Sequence, residues 1–176
     1  MSDLRSRLTE ITSNGLPNSH PRLIDQLQLD HVHGIEFVSF PVAIERYTCA
    51  MHAFDLVEDE EYAGLVLASP APVYASTGFV QRLIDRGVLE RLAQPQSSAL
   101  VVYRLGRTVK HIGRTLSPER CESKWGIGHL YRHGLLEVPS DYGDCLEFYR
   151  AIDRDSALDE LVIFAREHGV QFVGDA

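Results

Sequence analysis

Residues 99–124 constrain the fold more than any other stretch. Ala99-Leu100-Val101-Val102-Tyr103-Arg104 is β-branched and aromatic, and Thr108-Val109-Lys110-His111-Ile112-Gly113-Arg114 is a second run of similar character. Such residues suit a pleated, half-buried surface. Gly106-Arg107 makes a tight turn between them, Leu116-Ser117-Pro118-Glu119 turns the chain again, and residues 120–124 form a third strand. Connections this short join only antiparallel neighbours, because a parallel pair needs a crossover of about a dozen residues or more. The spacing therefore predicts a three-stranded meander.

Ahead of the meander the pattern is helical. Leu4, Leu8 and Ile11 share one face until Asn14-Gly15, and Pro21 opens a second short helix carrying Leu23, Ile24 and Leu27. Ile35 to Phe40 reads as a short extended segment. A helix begins at Thr48 or Cys49, with Ala50, Ala53, Phe54 and Val57 on its apolar face and Thr48 as its cap. Glu58-Asp59-Glu60-Glu61 reads as a solvated face or loop. Ser76 and Thr77 cap a further helix from Gly78 that Gly87 stops, and Val88 to Leu92 adds another turn or two. After the meander come a glycine-rich exit at 125–129, an extended piece at 135–139 and a turn at 140–143. Two amphipathic segments follow, 145–149 and 157–168, the latter ended by Gly169. Helices come first and the sheet after, which is the order of an α+β fold with N-terminal helices packed on a small antiparallel sheet. Residues 1–34 form a helical lead-in and residues 35–176 the main domain.

Charge and cysteine usage narrow the function. The net charge of −8 disfavours a nucleic-acid partner, although Arg, Lys and His gather between Arg104 and His133. Three widely spaced cysteines make no disulfide framework, which suits a reducing compartment. The first residues lack a basic region followed by an apolar core, so a cytoplasmic location is expected, with export that reads no such leader as the other route. The longest apolar stretch, Ala63 to Ala68, is about a third of the ~20 residues of a membrane span, so no membrane partner is expected. Gly126-Ile127-Gly128 stands alone, without a phosphate-cradling glycine motif, and no cofactor is assigned. His31 with His33 and His129 with His133 have zinc-like spacings but no supporting carboxylate or cysteine, and no metal is assigned.

One pair of residues can carry chemistry. Cys49 stands at a helix start, where the positive end of the dipole favours thiolate. His111 stands mid-strand, where a general base is held rigidly. On the third strand Glu122 or Ser123 can orient the imidazole, and alternation lets only one of them face it. Taken singly, a cysteine at a helix start is more often a small buried residue, and a strand histidine more often structural. Ser123-Lys124-Trp125-Gly126-Ile127-Gly128-His129-Leu130-Tyr131-Arg132-His133 holds the only tryptophan with two glycines and two histidines. It reads either as a substrate-binding rim or as a packed loop in which Trp125 plugs the core. Residues 139–143 fold back beneath it.

Thr48-Cys49-Ala50-Met51-His52-Ala53-Phe54, followed by Val101 to Arg104 and Lys110-His111-Ile112-Gly113, resembles the papain-like cysteine peptidases and amidases, especially their compact CHAP-like branch. The resemblance covers residues 35–150. It implies a two-step acyl transfer on a peptide or protein substrate. Cys49 would be the nucleophile, His111 the base, and Glu122 or Ser123 the third residue. Lys124, Trp125 and His129 would bind substrate, and Tyr47 would add an oxyanion donor. An inactive binding or regulatory module on the same fold, using residues 123–133 as contact surface, is the alternative.

Overall fold

The computed structural model describes residues 3–68 and 74–170. Six helices run α1 (Leu4–Asn14), α2 (His20–Gln26), α3 (Cys49–Ala53), α4 (Glu60–Ala68), α5 (Thr77–Asp85) and α6 (Arg154–Glu167). Seven strands run β1 (Glu36–Val38), β2 (Arg91–Leu92), β3 (Leu100–Leu105), β4 (Thr108–Thr115), β5 (Arg120–Lys124), β6 (Leu130–Gly134) and β7 (Cys145–Tyr149). They form one antiparallel sheet in the order β1-β6-β5-β4-β3-β7-β2. The class is α+β, and the meander extends further than its three expected strands.

Alternation along β3 divides the core. Leu100 and Val102 face α3 to α6, whereas Val101 and Tyr103 face α1 and α2. The lead-in therefore packs on one face of the sheet, with Leu8, Ile24 and Leu27 in the same cluster as Cys121, Trp125 and Tyr131. It also ties down the 140–143 turn, since Arg5 donates to the carbonyls of Val138 and Gly143 and Thr9 Oγ1 lies 2.9 Å from Ser140 Oγ.

Three local expectations need correction or refinement. First, α3 stops at Ala53, short of Val57. Asp55 adopts φ +58°, and the Leu56 and Asp55 N–H groups donate back to Met51 and His52, which closes the helix in a Schellman turn. Second, the acidic run is a solvated face, with Glu58, Glu60 and Glu61 exposed, but it starts a helix rather than forming a loop. Asp59 Oδ1 accepts from Tyr62 N at 2.9 Å, and Glu60 and Glu61 occupy the first turn of α4, where the dipole favours negative charge. Third, Val88 to Leu92 is not helical. Gly87 takes φ +71° and ends the turn, and Arg150 N donates to Glu90 O at 2.9 Å, drawing β2 onto the sheet edge.

Candidate active site

Cys49 is the first residue of α3. The Thr48 hydroxyl accepts from Met51 N at 3.1 Å and donates to Ala75 O at 2.6 Å, so the cap is satisfied on both sides and the entry to the helix is fixed. The cysteine is half-buried. Burial pushes its thiol up from the ordinary 9.0, against the pull of the Ile112 main chain, the Lys124 ammonium and the N–H groups of Ala50 and Cys49 itself. The resting sulfur is a thiol.

His111 is placed by a bulge. Pairing between β3 and β4 runs Tyr103 to His111 and then Arg104 to Val109, so Lys110 has no partner across the ladder. An extra residue in one strand re-aims the side chains around it. Beyond it, Gly113 lets β5 close onto β4, since a Cβ there would stand 2.8 Å from Glu122 O. The imidazole is 1% exposed, and its Nε2 has no hydrogen-bond partner among the described residues. It is held by aromatic faces: Tyr142 stacks on it with centroids 4.1 Å apart and planes at 17°, and Tyr103 lies at 5.5 Å. Burial, then the neighbouring His133 and Lys124, hold its pKa well below the ordinary 6.5, so the ring is neutral. Tyr142 reaches it because Gly143 turns the chain at φ +90° against Arg104, where a Cβ would collide with the carbonyl oxygen.

Cys49 and His111 line one cavity of about 590 Å³ together with Tyr47, Lys110, Lys124 and Tyr142. No hydrogen bond joins the thiol and the imidazole among the described residues. Lys124 is 1% exposed; its Nζ donates to Gly126 O and sits 5.1 Å from the Tyr47 ring centroid. The chain has only two lysines, Lys110 and Lys124, and both are here. Tyr47 is buried, its hydroxyl has no partner among the described residues, and burial, aided by the Glu122 charge, pushes that phenol up to about 12.

The other expected residues disperse. Neither candidate for the third position is hydrogen-bonded to His111. Glu122 faces α3, where it accepts from Arg132 Nε at 2.8 Å and lies 3.3 Å from His52 Nε2, and these partners hold its carboxyl below the ordinary value. Ser123 faces the other way and meets His133 Nε2 at 2.8 Å. Trp125, at 1% exposed, is in the core and donates to Ser123 Oγ at 3.2 Å. Burial of Trp125 fits the packed-loop reading of residues 123–133, whereas Lys124, Gly126 and Ile127 line the cavity with His111 as the rim reading expects; much of the segment is the β5–β6 hairpin. His129 lines a neighbouring cavity of about 430 Å³ that shares Ile44, Glu45 and Tyr47 with the first. Among the described residues no group of three or more His, Cys, Asp or Glu side chains could hold a metal ion, and no helix is long and apolar enough to cross a membrane.

A second cysteine–histidine pair lies under α1 and α2. Cys121 Sγ is 3.5 Å from His133 Nδ1 and 3.3 Å from Tyr103 OH, and Ser123 and Trp125 complete the network. No protein-family model matches the chain, and neither does any curated protein or solved structure.

Proposed function

We propose that the chain is a papain-like cysteine hydrolase that cleaves an amide or isopeptide bond through a thioester at Cys49. The observation that carries this reading is that Cys49, the first residue of α3, and His111 of β4 line one cavity. Burial keeps His111 neutral, which is the form a general base needs. The imidazole takes the Cys49 proton as sulfur attacks the carbonyl, then gives it to the leaving amine. Water, deprotonated by the same ring, releases the acid from the thioester. The N–H groups of Cys49 and Ala50 lack intrahelical acceptors and receive the developing oxyanion, with the Tyr47 hydroxyl as a further donor. Tyr142 replaces the polar third residue by stacking on the base.

A non-catalytic binding module is the second reading, favoured by the missing hydrogen bond between Cys49 and His111. Its contact surface would be the cavity, because Ser123, Lys124, Trp125, Tyr131 and His133 are buried. A peptidyl vinyl sulfone, mapped by tandem mass spectrometry, separates the two. The hydrolase reading expects the adduct on Cys49, at least about tenfold over exposed Cys145, and its loss in His111→Ala. Equal labelling of both cysteines, or indifference to His111→Ala, leaves the binding module.

A further inference from the structure

The charge around the cavity runs against the rest of the molecule. The chain carries −8 overall, yet Arg46, Lys110 and Lys124 line this cavity with Glu45 as its one acidic residue. None of the three cations is in an ion pair among the described residues. Arginines supply nearly all the ion pairs of the described surface, and both lysines are kept for the cavity. Arg46 and Lys110 are exposed at its mouth, whereas Lys124 lies deep beside Cys49. An ammonium has three donors. Lys124 gives one to the Gly126 carbonyl and rests against the Tyr47 ring, with no carboxylate within ion-pair distance among the described residues. A buried charge without a counter-ion is costly, and an anion entering the cavity relieves that cost.

We propose that the substrate carries a carboxylate beside the bond cleaved, that Lys124 receives this carboxylate, and that Arg46 and Lys110 draw it in. The proposal rests on the hydrolase reading, because it names the substrate class of that site. A single deep cation balances a single negative charge. A phosphate dianion would bring an excess next to Glu45, so a carboxylate fits better.

The test uses the whole chain and two small alkylating agents, iodoacetate and iodoacetamide, which differ in charge. Exposed Cys145 is the internal reference. The expected result is an iodoacetate-to-iodoacetamide rate ratio at Cys49 at least about tenfold above that at Cys145, falling as salt rises. The ratio drops to the reference in Lys124→Met and survives in Lys124→Arg. Should both buried variants unfold, Arg46→Gln with Lys110→Gln at the exposed mouth must still lower it. Equal ratios at the two cysteines overturn the proposal, while the iodoacetamide rate alone still reports on the nucleophile. Three tripeptides, tested for protection of Cys49 from iodoacetamide, identify the source of the carboxylate. Protection by an amidated peptide with an internal glutamate assigns a side chain, and protection by a free-acid peptide without acidic residues assigns a chain end. Equal protection by an amidated neutral peptide, or protection by none, overturns the idea.

Discussion

The molecule holds two cysteine–histidine pairs, and they differ in how their polar atoms are satisfied. Cys121 and His133 are in hydrogen-bond contact and tied to Tyr103, Ser123 and Trp125, but they lie sealed beneath α1 and α2. Cys49 and His111 make no bond to one another, but they line a cavity, and His111 Nε2 and the Tyr47 hydroxyl have no partner among the described residues. A buried polar network with its partners in place rigidifies a core. Unsatisfied groups around a cavity are what an incoming molecule completes. The two pairs are therefore told apart by open polar atoms around a cavity and not by contact between sulfur and imidazole.

The largest effect that could break this contrast is on turnover. Cys49→Ala is expected to lower amide hydrolysis by about 10⁴-fold or more with an unchanged melting midpoint. Cys121→Ala is expected to leave hydrolysis within about twofold and cost about 1–3 kcal/mol of stability, because Tyr103 OH loses a buried partner. Comparable loss of turnover in both variants would erase the distinction. Next is the core ring: Trp125→Ala should cost about 3–5 kcal/mol in urea unfolding. A loss below about 1 kcal/mol would return Trp125 to the surface rim.

Acid sharpens the comparison from the other side. Burial lowers His133 from the ordinary 6.5 to about 4. The unfolded chain binds the proton more readily in that window, so stability is full above pH 6.5 and is lost as pH falls toward 4. At 1.36 kcal/mol per unit the loss is about 3 kcal/mol, and His111 adds to it in the same direction. Urea unfolding at pH 7, 5.5 and 4 measures it, and His133→Asn should flatten the slope. The smallest effect concerns Tyr142. Stacking is worth about 0.5–1.5 kcal/mol, so Tyr142→Ala should slow hydrolysis about 2- to 10-fold while Tyr142→Phe changes it little. Equal losses in the two would mean the hydroxyl matters and the ring face does not.

The parts of the fold legible in the sequence were those with local causes. β3, β4 and β5 announce themselves through residue type and short turns, α1 through spacing, and α5 through its Ser76 cap, which accepts from Phe79 N at 3.4 Å. Of the candidate cavity, Cys49, His111, Tyr47 and Lys124 were legible in the sequence, whereas Arg46, Lys110 and Tyr142 were not. What ranks them depends on distant segments. The bulge at Lys110 is a mismatch between two strands, and Tyr142 reaches His111 only because Gly143 and Arg5 of α1 hold its turn. The face that Ser123 takes is set by the β5–β6 register, which pairs Cys121 with His133 and leaves Glu122 to α3. The concentration of both lysines at the cavity was the one non-local clue open to simple counting.

Iodoacetamide kinetics followed cysteine by cysteine in the folded protein, across pH, address the contrast between the two sulfurs most directly. Cys49 is expected to react in the native state at a rate that climbs with pH through a midpoint above 9.0, as its raised pKa requires, while Cys121 reacts only as fast as the chain unfolds. Protection of Cys49 equal to that of Cys121 would contradict the account.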